Sequence, residues 1–324
     1  MVPAEHPEQS GADAPDPVAE SDSEAEHSDA VPPGAVVVGV DLSDKDATVL
    51  GFAVLEAIRS GAPLHLLRAH EIHTGYVGSW DAGFGLVGVG AEVAKASEER
   101  LSQAADEVRA AHPELAVTTS QPWGTPSQAL LDAATEASLL VVGTERKGGI
   151  EKVLLGTTSL DTAMHAPCPV AVVGLDPIRL GPVVVGVDGS RHAVAAARWA
   201  AEAARARGVG LVVVATWWLE VIRGVVITEE GTPEWDELAT RYREMAELAL
   251  GDIRTGMPDL DIEVVVRNDR PVAALLEASG DASLLVVGTR GRGGFAGMTL
   301  GSVSHKVLQR ATCPVVVTKA ESAS

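Results

Sequence analysis

The sequence predicts an α/β protein of two tandem domains, each a doubly wound parallel sheet, and three observations carry that prediction. First, the chain repeats itself. At an offset of 145, residues 138–173 and 283–318 agree at 17 of 36 positions, "SLLVVGT" stands in both, and the Cys-Pro-Val triplets coincide. Near the front, "GAVVVGVD" (34–41) answers "GPVVVGVD" (181–188) at seven of eight positions. A period this long is a duplicated domain and not a solenoid repeat. It also suits a 324-residue chain, since domains run to ~100–200 residues. Second, the composition is 46% hydrophobic but only 3% aromatic, so the core rests on Val, Leu and Ala. Runs of small β-branched residues suit strands buried on both faces. Third, those runs alternate with Ala-rich helical patterns, the signature of parallel βαβ units.

Each half reads in the same order. A Val run ends in Asp (36–41 and 183–188), and an Ala-rich helix follows over 44–60 or 191–207. A second strand (63–69, 210–216) leads through a longer variable loop to a helix over 91–111 or 233–255. The third strand, "LAVTTS" (115–120) or "IEVVVR" (262–267), precedes a short helix at 126–136 or 271–281. "LLVVG" is the fourth strand in both halves. A glycine-rich segment, a helix and a last strand (169–173, 314–318) complete each copy, giving five strands per domain. Right-handed crossovers turn this order into an open, doubly wound sheet. The break falls near "GLDPIRLGP" (174–182), so the expected domains are 34–176 and 178–324.

The formal charge of −20 is unevenly spread. Residues 1–33 hold nine acids and no Lys or Arg, which leaves −11 on the rest. Rich in Ala, Pro, Ser, Glu and Asp, this stretch reads as a disordered acidic tail, either a solubilising leader or a partner-binding segment. An acidic body argues against nucleic acid, whose binding relies on Lys and Arg to neutralise phosphates. Neither a signal-peptide pattern nor an 18-residue apolar run occurs, so no membrane partner is expected. The two cysteines, Cys168 and Cys313, occupy equivalent places before the final strands and read as core residues in a reducing cytoplasm.

In open α/β sheets, ligands bind at the carboxyl ends of strands where the strand order reverses. The special residues collect at the ends of strands one and four: Asp41 with Gly143, and Asp188 with Gly288. In the second half Gly291 and Gly301-Ser302 follow Gly288, and Gly301-Ser302 stands where the next helix begins. Bare backbone admits a close ligand, and a helix start offers free N–H groups and a positive dipole end, which suits phosphate. Ser302 and Ser304 add hydroxyls. Arg290 and Arg292 either supply charge there or stand solvated, and the glycines read equally as turn formers. Asp41 and Asp188 serve as caps or as acceptors for ribose hydroxyls or a metal. Trp217-Trp218 covers either a base or the edge of the core.

Competing motifs fit less well. "GRGGFA" (291–296) has dinucleotide spacing but follows strand four, without the acidic residue ~20 positions on. The G-x-x-x-x-G-K-[ST] loop is absent, so no lysine is set for β/γ-phosphates. His65, His70 and His73 gather no carboxylates for a metal, and no Ser/His/Asp arrangement can be argued.

"GTRGRGGFAGMTLGSVSHKVLQRATCPVVV" closely resembles the signature of the universal stress protein family, whose ATP-binding branch carries G-2x-G-9x-G-[S/T]. "VVVGVDGS" (183–190) resembles that family's first strand and turn, and the likeness covers 34–318 as a tandem protein of the actinobacterial kind. The resemblance implies strand order 3-2-1-4-5, the adenine nucleotide alpha hydrolase-like fold, and pairing of domains through their last strands, hence a homodimer. It implies ATP, with or without magnesium, as ligand. Asp188 would lie on the adenosine side, and Gly288 and Gly291 beside ribose and phosphates. Gly301, Ser302, Val303 and Ser304 would hold phosphates. In the first domain Asp41, Gly143, Gly156, Thr157 and Ser159 match, whereas Arg146 stands where Gly291 does and Glu145 replaces Arg290. The implied role is regulatory, in stress, dormancy or growth arrest, with ATP bound more than turned over and with regulatory protein partners. A slow ATPase and a scaffold using another adenylate such as cAMP are the alternatives.

Overall fold

The structure, a computed structural model, describes residues 30–43, 46–70, 85–144, 155–174, 179–218, 221–222, 225–227, 229–292 and 299–320. Most of the acidic tail, with Glu145 and Arg146, lies outside the described residues.

The first half runs β1 (Ala35–Gly39), α1 (Asp46–Ser60), β2 (Leu64–Leu67), α2 (Gly85–Ala111), β3 (Val117–Ser120), α3 (Pro126–Ala133), β4 (Ala137–Gly143), α4 (Thr157–His165) and β5 (Val170–Val173). The second runs β6 (Val183–Val187), α5 (Arg191–Arg207), β7 (Leu211–Trp217), β8 (Val221–Ile222), β9 (Val225–Val226), α6 (Pro233–Gly256), β10 (Ile262–Asn268), α7 (Pro271–Ala278), β11 (Leu284–Gly288), α8 (Ser302–Arg310) and β12 (Val315–Thr318). Local signals set several boundaries. Ser190 accepts from Ala193 N to start α5, and Gly208 ends it at φ 66°. Thr232 and Pro233 open α6 in the same fashion as Thr125 and Pro126 open α3.

All ten long strands form one sheet, ordered β10-β7-β6-β11-β12-β5-β4-β1-β2-β3. Each half therefore has the expected 3-2-1-4-5 order with parallel pairing, and the two meet where β12 runs antiparallel to β5, Val316 opposite Ala171. The domains thus pair through their last strands, as the resemblance implies, and they do so within one chain. β5 and β12 each have a neighbour on both sides within the chain, so neither offers a free edge to a second copy. Two further differences are local. α2 begins at Gly85, before the anticipated 91, and the loop after β7 contains the small antiparallel hairpin β8–β9.

Side chains alternate across the sheet as period two requires. Val36 and Val38 face a layer with Phe52 of α1 and Leu101 of α2, continuous with Val185, Ala200 of α5 and Leu250 of α6. Val37 faces the opposite layer with Leu130 of α3 and Ala163 of α4, continuous with Val184, Leu275 of α7 and Val307 of α8. Both layers cross the junction, so the repeats share their core. Burying each such Val or Leu contributes about 1.5–3 kcal/mol. The shared layers also enclose charge. Glu56 of α1 accepts from Arg207 of α5 at 2.6 Å, with side chains only 7% and 3% exposed. Arg59 joins the same carboxylate at 2.9 Å.

Candidate functional site

In the second half β6 and β11 are hydrogen-bonded neighbours, with Val183 opposite Leu284, and the strand order reverses between them. Their carboxyl ends bring Asp188 and Gly288 to one crevice, as the topological rule anticipates. A cavity of about 380 Å³ opens there. It takes in Asp188, Gly288, Arg290, Gly291, Arg292, Gly301, Ser302, Val303 and Ser304 together. Its apolar part comes from Val214 and Thr216 on β7 and from Pro271 and Leu275 on α7. These four were not singled out from the sequence. The signal available was their position: β7 flanks β6, so its carboxyl end borders the same switch point.

Asp188 organises the mouth. Its Oδ1 accepts from Ser190 N at 3.0 Å, and its Oδ2 accepts from Arg292 N at 2.8 Å, tying the first turn to the glycine segment. The carboxylate lies so close to Gly291 that a Cβ there would stand 2.3 Å from Oδ2. Gly288 is bare for another reason, because a Cβ would meet the His192 backbone at 2.9 Å. Burial, followed by the charges of Arg290 and Arg191, holds the His192 imidazole below its ordinary pKa.

Gly301 is the N-cap of α8, and its N–H donates to Thr289 O at 2.6 Å. The first turn of α8 thus presents the amides of Ser302, Val303 and Ser304 at a helix start. The Ser304 hydroxyl donates to Gly288 O at 2.6 Å, so it clamps the helix to the strand end. Ser302 is the exposed hydroxyl of the pair. Arg290 Nε is buried without a hydrogen-bond partner among the described residues, an open donor at a cavity wall.

A model of the universal stress protein family matches residues 34–174 and 180–319. The chain belongs to this family. A universal stress protein of Mycolicibacterium smegmatis is 34% identical over 296 residues, covering 88% of this chain and 96% of that one. A Mycobacterium tuberculosis relative is 32% identical with the same coverages. Among solved structures, a universal stress protein from Archaeoglobus fulgidus has TM-score 0.64 at 21% identity, covering 88% of this chain and 98% of that one. A putative universal stress protein from Pseudomonas aeruginosa has TM-score 0.59 at 19% identity, covering 90% and 94%. These two likenesses support the fold.

The first universal stress protein repeat builds a related but altered turn. Asp41 Oδ1 accepts from Ser43 N at 2.7 Å, the bond Asp188 makes to Ser190. Gly156 is the N-cap of α4, Thr157 begins it, and the Ser159 hydroxyl donates to Gly143 O at 2.5 Å, matching Ser304 to Gly288. Leu42, however, takes φ 62° where its counterpart Gly189 has 80°. A left-handed leucine costs about 1–2 kcal/mol, which the surrounding bonds must offset.

The remaining candidates fall elsewhere. Trp217 is 3% exposed and packs edge-on against Trp235 at 4.7 Å, so it belongs to the core. Trp218 lies outside, beneath the Arg270 guanidinium at 5.3 Å. His65 is buried between Thr118 and Ser120, and His70 stacks on Trp123 at 5.0 Å. His73 lies outside the described residues. Among the described residues no three His, Cys, Asp or Glu side chains gather to hold a metal, and no helix is long and apolar enough to cross a membrane. Cys168 and Cys313 are free and buried, and burial pushes both thiols up to about 11.

Proposed function

We propose that the second domain binds ATP, with or without magnesium, and that the chain is a nucleotide-occupied regulator of stress response, dormancy or growth in the cytoplasm. One observation carries this reading. The cavity at the β6/β11 switch point joins an apolar pocket to a mouth of glycine backbone, helix-start amides and two arginines. Val214 and Leu275 suit a base, the Asp188 carboxylate suits ribose hydroxyls, and the α8 amides with Arg290 and Arg292 suit phosphates. The Arg290 Nε, without a partner among the described residues, fits a ligand rich in acceptors. Magnesium, when bound with ATP, would neutralise phosphate charge.

Regulation is favoured over catalysis because none of the described side chains at the mouth is set to activate a water. No imidazole is among the described residues that line the cavity, and Asp188 already accepts two backbone bonds. Domain units 34–176 and 178–324 are part of the same proposal, and partner proteins would read the occupied form. Mass spectrometry of ligand released from natively purified protein tests the reading. ATP is the expected mass; a different adenylate would redirect it, and an empty cleft that also ignores added ATP would end it. Robust ATP turnover lost on Ser302→Ala would promote the enzyme instead.

A further inference from the structure

The two first turns differ at one position that changes what the cleft offers. Counted from the strand-end aspartates, Asp41 pairs with Asp188, Leu42 with Gly189, Ser43 with Ser190, and Asp46 with Ala193. Ala193 lines the cavity of the second domain, and a methyl group has no acceptor to offer the turn amides. Asp46 does the opposite. Its Oδ2 accepts from Asp41 N at 2.9 Å and from Leu42 N at 2.6 Å, so a carboxylate of the protein sits on the N–H groups of the turn. Opposite this turn, α2 brings Arg100, which donates to Leu42 O, where α6 of the second half brings the neutral Met245 against Gly189.

We infer that Asp46 closes the first domain to nucleotide, so that one chain carries one nucleotide, in the second domain. This rests on the ATP reading of the second site. Three physical effects act together. Asp46 puts a carboxylate at the position where the second domain has the Ala193 methyl in its cavity wall. It takes up the Asp41 and Leu42 amides, which are then committed within the protein. It also sets a second negative charge beside Asp41, and two carboxylates within one turn repel an incoming polyphosphate. The turn is tied to it in return, because the amides of Asp41 and of the left-handed Leu42 both donate to its Oδ2.

Calorimetric titration of the full chain with magnesium-ATP tests this, using wild type, Gly301→Val, Asp46→Ala, and Gly301→Val combined with Asp46→Ala or Asp46→Asn. Wild type should bind one equivalent, and Gly301→Val should bind none. Asp46→Ala in the Gly301→Val background should regain a site at least ~10-fold tighter than its parent, a change of one decade in Kd. The Asn variant keeps the size and an acceptor, so it guards against a turn that fails to form without Asp46. Two equivalents on wild type, or neither Asp46 variant improving on Gly301→Val, would overturn the inference and leave the second-domain reading standing. A wild-type chain that binds no ATP at all would bring down the ATP reading itself.

Discussion

Asp188 Oδ2 occupies the space that a side chain at position 291 would need: a Cβ built on Gly291 falls 2.3 Å from it. The same oxygen accepts from Arg292 N at 2.8 Å. The glycine is thus demanded by a neighbour's carboxylate, and Gly291 is not among the glycines in the left-handed region. The contact couples the end of β6 to the segment after β11, the two edges of the cleft. Gly291→Ala should push the Asp188 carboxylate away, break the Arg292 bond and weaken ATP binding by ~10-fold, about 1.4 kcal/mol. Overpacking of this kind costs ~1–3 kcal/mol of stability. Asp188→Ala should relieve the clash, so the double variant should be more stable than the two single losses sum to. Additive losses in denaturant titrations would mean the two residues do not press on each other.

ATP at ~100 times its dissociation constant should raise the unfolding free energy by ~2.7 kcal/mol if only the folded chain binds it. Gly301→Val should remove that gain, because even a Cβ would lie 3.3 Å from Thr289 O and a branched side chain crowds the amides of α8. Melting curves that ignore saturating magnesium-ATP would count against the nucleotide reading. A shift that survives Gly301→Val would place the ligand elsewhere.

Glu56 and Arg207 tie the repeats together from inside. Removing one partner of a buried pair leaves an uncompensated charge, which costs about 3–5 kcal/mol. Glu56→Ala should therefore destabilise the whole chain by roughly that amount, with Arg59 left beside Arg207 as a like charge. Burial already holds Arg207 below its ordinary pKa, the carboxylate of Glu56 acting against that. Replacing both by apolar residues, Glu56→Leu with Arg207→Met, should recover most of the loss. Chemical denaturation of the four proteins decides it, and a Glu56→Ala chain as stable as wild type would show that water reaches the pair.

The fold was largely legible because its signals are redundant. The Val runs, the Asp that ends each first strand and the two "LLVVG" strands all say the same thing twice. The second cleft was legible from Gly288, Gly291, Gly301 and Ser302 because strand-end position and glycine spacing agree. Its apolar floor was not, since Val214 and Leu275 look like any core residue until the sheet order sets β7 and α7 beside β6. Ser304 read as a free hydroxyl, and only the folded chain shows its proton committed to Gly288 O. The β5–β12 junction was implied by the family resemblance, which pairs domains through their last strands, but not by the residues themselves: either strand, taken alone, is an edge, and only the folded chain shows the two meeting within one molecule. Asp46 was unremarked because helix starts commonly carry acids. Its reach back to the Asp41 and Leu42 amides needs the turn geometry.

The first turn should also leave a mark on the pH dependence of stability. Burial first, and the Asp41 carboxylate second, raise Asp46 from 3.8 to about 6, against the backbone bonds from Leu42 and Asp41 that pull it down. An acid with a raised folded pKa binds its proton more tightly in the native chain than in the unfolded one. Between about pH 4 and pH 6 the native state therefore holds more protons, and stability falls as pH rises through that window. Above it the cost is constant, on the order of 2 kcal/mol after allowance for partial exposure, each pK unit being ~1.4 kcal/mol. Asp46→Asn removes the ionisation while keeping an acceptor for the Leu42 amide. Its stability relative to wild type should be greatest at pH 7 and above, and the advantage should shrink as pH falls below 6 and vanish near pH 4. Urea titrations of the two chains at half-unit steps from pH 4 to pH 8 measure this difference directly, since groups common to both cancel. A difference that is flat across the range would mean that Asp46 ionises as an ordinary surface carboxylate, and one that grows toward acid would mean that the turn amides hold its pKa down instead. Its hold on the turn would then carry no electrostatic cost.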